Sequence, residues 1–104
     1  NKRVSIVHNG IIENYMKIKE FLIDQGYGFE SETDTEAVAK LLDYYYDGDP
    51  VDTIIKVLAE IEGSYALGIM FRDFPDRIFA VRKDSPLIIG LSDEENFIAS
   101  VFEL

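Results

Sequence analysis

The first apolar pattern in the chain is Val4-Ser5-Ile6-Val7-His8, a weakly alternating run rich in β-branched residues that breaks at Asn9-Gly10. It predicts a buried strand over residues 4–8 that ends at the Asn-Gly pair. The period then lengthens to that of a helix. Ile18, Phe21 and Leu22 share one face, Asn14 is a natural N-cap, and Gly26 is a natural C-terminal stop. Tyr27 and Phe29 fall on one side of residues 27–30, the spacing of a short second strand. Thr33 followed three residues later by Glu36 is a capping box. It opens a helix whose apolar face runs through Ala37, Val38, Leu41, Leu42 and Tyr45 before Gly48 stops it. Asp49 as N-cap and Pro50 at the first helical position start a further helix, with Ile54, Ile55, Leu58 and Ile61 buried and Gly63 at its end.

From Ser64 onward the pattern is that of strands. Ser64 to Phe71, Ile78 to Arg82, Leu87 to Leu91 and Phe97 to Ser100 are separated by the turn clusters Asp73-Phe74-Pro75-Asp76, Lys83-Asp84-Ser85-Pro86 and Ser92-Asp93-Glu94-Glu95-Asn96. Connections this short imply an antiparallel meander. The order β-α-β-α-α-β-β-β-β, with helices grouped, gives an α+β layering in which helices cover one face of a mainly antiparallel sheet. No repeat, linker or low-complexity segment interrupts it, so residues 1–104 read as one domain.

Composition narrows the chemistry. The chain has 20 acidic and 10 basic residues, a formal charge of −10, which opposes nucleic-acid phosphates and anionic lipid. No apolar run approaches the roughly 20 residues of a membrane span, and Asn1-Lys2-Arg3 does not lead into a signal peptide, so a cytoplasmic location is expected. With no cysteine and one histidine, neither a disulfide nor a zinc site built from His and Cys is available, and no metal or cofactor is expected.

Several residues have a plain structural reading beside a chemical one. Asn9-Gly10 is a common tight-turn pair, but an Asn side-chain amide and the following backbone N–H can also point the same way as two donors for a developing oxyanion. Asp34 in the first turn of a helix gains from the helix dipole. Fixed there, it could equally bind an α-ammonium group by a charge-assisted hydrogen bond. His8 has no partner motif and reads as a packed, hydrogen-bonded strand-end residue. Asp43, Asp47 and Asp49 lack the spacing of a calcium loop and read as helix-end and turn acids. Of Tyr44, Tyr45 and Tyr46, which point to different sides of a helix, Tyr45 reads as core.

Taken in order, Val7-His8-Asn9-Gly10-Ile11-Ile12-Glu13-Asn14, Ser31-Glu32-Thr33-Asp34-Thr35-Glu36, Ser85-Pro86-Leu87-Ile88-Ile89-Gly90 and Asn96-Phe97-Ile98-Ala99-Ser100 resemble the glutaminase domains of the class II glutamine amidotransferases. The second and third blocks favour the hexosephosphate aminotransferase branch. The resemblance covers residues 4 to 100. It implies an N-terminal-nucleophile hydrolase fold, a sandwich of antiparallel sheets and helices, here incomplete. It also implies hydrolysis of glutamine to glutamate and ammonia by an N-terminal cysteine thiolate. Carried over by position, Asn9 and Gly10 would stabilise the oxyanion and Asp34 would hold the glutamine α-ammonium, making glutamine or glutamate the ligand. The cysteine segment and the arginine region that grips the substrate carboxylate have no counterpart here, and Val101-Phe102-Glu103-Leu104 departs from the family pattern. The expectation is therefore a truncated glutaminase domain, inactive alone and prone to self-association through an uncovered sheet edge or apolar face. The alternative is a non-catalytic acidic interaction or regulatory module on the same fold.

Overall fold

The computed structural model describes residues 3–84 and the backbone of 98–103. The element order is β1 (Val4–Ile12), α1 (Tyr15–Asp24), α2 (Asp34–Tyr45), α3 (Pro50–Leu58), β2 (Gly63–Phe71), β3 (Arg77–Lys83) and β4 (Ile98–Glu103). The strands form one sheet in the order β1-β2-β3-β4. All three helices stand where the apolar periodicity predicts them, but α3 ends at Leu58, short of Ile61, and Gly63, expected to stop it, opens β2 instead. The predicted strand over Leu87–Leu91 lies outside the described residues.

Three expectations about strands are corrected. β1 does not end at Asn9-Gly10 but runs through Ile12, paired antiparallel with β2 from Val4↔Phe71 to Ile12↔Gly63. Gly10 permits this because it adopts φ +103° inside the strand, where a Cβ would stand 2.4 Å from the Ser64 carbonyl oxygen. The Asn-Gly pair is thus a strand element rather than a turn. Residues 27–30 form no strand: the Tyr27 N–H donates to the Leu22 carbonyl, the Gly28 carbonyl accepts from Lys40 Nζ, and the rings of Tyr27 and Phe29 pack on the core. Finally, β2 and β3 are antiparallel, but β4 runs parallel to β3, with Arg77↔Ile98 through Arg82↔Glu103. Parallel neighbours need a crossover of about a dozen residues or more, and residues 84–97 supply that length. Successive hairpins at the turn clusters 83–86 and 92–96, the reading their composition suggests, would exclude a parallel pairing.

The alternation of a strand sorts the sheet into two faces. On one, Val4 and Ile12 of β1, Leu67, Ile69 and Phe71 of β2, and Phe79 and Val81 of β3 join Leu22, Leu41, Leu42, Ile54 and Val57 of the helices in one buried core. On the other face Val7 is 44% and Ile11 is 65% exposed. The α+β layering therefore holds. Ile55, expected inside, is 57% exposed, because Ile54 and Val57 already turn α3's apolar face to the core.

The helix starts carry their own accounts. Asp49 caps α3 as predicted, its Oδ1 accepting from the Val51 and Asp52 N–H groups, with Pro50 in the first turn. Asn14 precedes α1 but makes no side-chain cap. Its amide instead donates to the Glu60 carbonyl at 2.7 Å and accepts from the Glu62 N–H at 2.9 Å, tying the end of β1 to the start of β2. Thr33 caps α2, Oγ1 accepting from the Glu36 N–H at 3.3 Å. The reciprocal half of the capping box is absent, because Glu36 turns outward to the preceding loop.

Candidate functional site

β1 and the N-terminus of α2 meet at the segment that carries Asn9 and Gly10. β1 is an outer strand among the described residues, so its free edge is open to a partner. Asp34, the first residue of α2, fills part of that edge: its Oδ2 accepts from the Ile12 N–H at 3.1 Å, two residues beyond Gly10. Its side chain remains 24% exposed. An ionised carboxylate has about four acceptor positions, so Asp34 keeps capacity for a further donor. Asn9 is exposed, and its amide has no hydrogen-bond partner among the described residues. Gly10 and Asp34 thus lie at this junction, whereas Asn9 falls by strand alternation on the exposed face of the sheet, the one that carries Val7 and Ile11.

The loop before α2 is shaped by Glu36. Its Oε2 accepts from the Glu30 N–H at 2.9 Å, and its Oε1 accepts from the Ser31 N–H at 2.8 Å and the Ser31 hydroxyl at 2.7 Å. The Glu30 amide, seconded by the Ser31 hydroxyl, holds the Glu36 carboxyl down at about 2. Ser31 Oγ in turn lies 2.9 Å from Thr33 Oγ1. The Ser31-Glu32-Thr33-Asp34-Thr35-Glu36 motif is therefore a folded unit that sets where Asp34 begins the helix.

His8 is packed and hydrogen bonded, as its plain reading expected, but its partners belong to this junction. Its Nδ1 lies 2.9 Å from Thr35 Oγ1 and 3.7 Å from Asp34 Oδ1. Its Nε2 is buried without a hydrogen-bond partner among the described residues. Thr35 escaped the sequence reading because nothing in a helical register reveals a cross-element contact to a strand residue 27 positions earlier. The adjacency of Thr35 to Asp34 was the one available signal.

Asp43 lies in the last turn of α2, as expected of a helix-end acid, and is in addition buried. Arg3 Nε donates to its Oδ1 at 2.8 Å and the Tyr27 hydroxyl to its Oδ2 at 2.8 Å. Burial, then the Asp43 bond, pushes the Tyr27 phenol up to about 12. Asp47 and Asp49 serve the α2–α3 turn, Asp47 accepting from the Asp49 N–H. Tyr45 is half-buried, while Tyr46 stacks on Phe71 at 4.9 Å and donates to Asp73. Among the described residues no helix is long and apolar enough to cross a membrane.

The chain belongs to the glutamine amidotransferase domain family, whose model matches residues 1–103. It is 61% identical over 97 residues to a glutamine–fructose-6-phosphate aminotransferase (isomerizing) of Caldanaerobacter subterraneus subsp. tengcongensis, a match covering 93% of this chain and 16% of that protein. The enzyme of the same name from Clostridium acetobutylicum is 57% identical over 97 residues, with the same coverage. The chain thus spans about 16% of the length of the curated relatives it matches. Among solved structures, the glutamine phosphoribosylpyrophosphate amidotransferase of B. subtilis, complexed with ADP and GMP, aligns with a TM-score of 0.60 at 32% identity, covering 65% of this chain and 15% of that one. The architecture is accordingly the α+β arrangement of the N-terminal-nucleophile amidotransferases.

Proposed function

We propose that this chain supplies the oxyanion and ammonium-binding half of a glutaminase site, as part of a larger domain that hydrolyses glutamine to glutamate and ammonia. The ammonia serves a hexosephosphate aminotransferase reaction that makes glucosamine 6-phosphate. The observation that carries the reading is the Asp34 carboxylate held against the Ile12 N–H, two residues from the positive-φ Gly10, with part of its surface still open. Asn9 Nδ2 and the Gly10 N–H donate to the oxygen of the tetrahedral intermediate, where a single lost donor costs about 2.7–4 kcal/mol. Asp34 accepts from the substrate α-ammonium.

The 104 residues contain no cysteine, so the thiolate that attacks the amide carbon comes from outside them. This chain by itself releases no ammonia from glutamine. A purified preparation with turnover comparable to an intact enzyme would refute that statement. For the half-site itself, calorimetry with L-glutamate is the test: the chain binds it, and Asp34→Asn weakens binding at least tenfold without lowering Tm. Unchanged affinity in Asp34→Asn would remove Asp34 from the site.

A cytoplasmic location belongs to the same reading and is supported by the acidic, ordinary globular composition. So does self-association through the face carrying Val7 and Ile11, whose exposure supports it. Sedimentation should show dimers at high concentration that Val7→Lys disperses, whereas a compact monomer throughout would end that part of the reading.

A further inference from the structure

His8 and Thr35 have no assigned task in the half-site, yet they hold each other across the β1–α2 junction. The His8 ring is 5% exposed, and its Nδ1 faces two oxygens of the first turn of α2, Thr35 Oγ1 at 2.9 Å and Asp34 Oδ1 at 3.7 Å. The other Asp34 oxygen is taken by the Ile12 N–H at 3.1 Å. Asp34 is therefore bracketed by a β1 backbone group on one oxygen and a β1 side chain on the other. Thr35, its neighbour in sequence, fixes the ring that does the bracketing. An orphaned buried donor is rarer than an orphaned buried acceptor. Since Nε2 has no partner among the described residues, the proton is assigned to Nδ1, where it donates to Thr35 Oγ1 with Asp34 Oδ1 the next oxygen at 3.7 Å.

A carboxylate that recognises an ammonium group is selective only if its orientation is set before the ligand arrives, because ordering a loose side chain on binding consumes affinity. We propose that His8 and Thr35 are positioning residues, which orient the Asp34 carboxylate toward the α-ammonium of a bound amino acid. This rests on the reading that Asp34 binds that ammonium. The role is distinct from packing, since an apolar residue of similar volume would fill the ring's place without orienting Asp34.

The test compares L-glutamine with glutaramate, which lacks only the α-ammonium, by calorimetry on the full 104-residue chain. The ratio of the two affinities reads ammonium recognition apart from general fold integrity. His8→Leu and Thr35→Val should each reduce the ratio at least fivefold, while His8→Asn, whose amide nitrogen replaces Nδ1, and Thr35→Ser should retain it. If His8→Leu does not fold, Thr35→Val, which keeps the side-chain shape, decides the matter. Asp34→Asn abolishing the ratio while His8→Leu and Thr35→Val leave it intact would overturn the positioning role alone. A wild-type chain that does not prefer glutamine to glutaramate would overturn the ammonium reading of Asp34, and the positioning role with it.

Discussion

β1 and β2 pair residue for residue over their whole length, from Val4↔Phe71 to Ile12↔Gly63, yet solvent meets them very differently. In β2 the run Tyr65 to Ile69 is buried without interruption, because the strand lies between two neighbours. In β1 only the end residues Val4 and Ile12 are buried, and between them stand His8, Asn9 and Gly10. The contrast separates two tasks. β2 anchors the sheet through apolar burial, and β1 uses that anchor to hold polar groups at an open edge. Rigidity borrowed from a neighbouring element is what a binding constellation requires.

The contact between the strands is the place where that comparison breaks most sharply. At Gly10 a Cβ would lie 2.4 Å from the Ser64 oxygen and 2.8 Å from the Tyr65 Cα, at a φ that L residues rarely adopt. Gly10→Ala should cost on the order of 3–5 kcal/mol, visible as a large drop in Tm. Gly26→Ala, at φ +97° but in open space, is the control and should cost only about 1 kcal/mol. Equal losses at the two glycines would show that the close approach of β1 to β2 is not what demands Gly10.

Core truncation sharpens the contrast next. Leu67 is fully buried in β2, and Leu67→Ala should cost about 2–5 kcal/mol through lost burial and the cavity left behind. Val7→Ala in β1, at a half-exposed position, should fall within about 0.5 kcal/mol in denaturant titrations. Similar values would mean that the two strands share the stabilising role.

A smaller effect lies in the loop that sets the start of α2. Glu36 titrates at about 2 when folded against 4.5 as its ordinary value. Its folded pKa is depressed, so its contribution is fully present above 4.5 and is lost as pH falls toward 2. Solvent screening trims that contribution to about 1 kcal/mol. Glu36→Gln should therefore be less stable than wild type at pH 7, with the gap closing between pH 4.5 and pH 2. A gap that is constant with pH would locate the effect elsewhere. The smallest stability change should come from the site itself: Asp34→Asn keeps an oxygen for the Ile12 N–H and should alter Tm by under about 2 °C while impairing ligand binding.

What the sequence disclosed follows the same division. The helices were legible because their signals are local: Thr33 with Glu36, Asp49 with Pro50, and apolar residues at helical spacing. The candidate site residues came from the motif blocks rather than from periodicity, which reads Asn9-Gly10 as a turn and Asp34 as a dipole-stabilised acid. Whatever depends on distant partners escaped. The continuation of β1 beyond Gly10 depends on β2 more than fifty positions later. The parallel β3–β4 pairing depends on a crossover that looked like two hairpins. The burial of Asp43 depends on Arg3, forty positions away. Long-range pairings of this kind leave no mark in a local window.

The central claim, that the β1 edge and the α2 start form a ligand site which the rest of the sheet merely supports, is tested most directly by an amide-resolved NMR titration with L-glutamate. The account predicts shifts at Asn9, Gly10, Ile12 and residues 33–36, with Leu67, Ile69 and Val81 unmoved. Shifts centred instead on the cavity of about 340 Å³ lined by Val4, Glu30, Ser31, Lys40 and Asp43, or a well-dispersed spectrum with no shifts at the β1 edge, would contradict it.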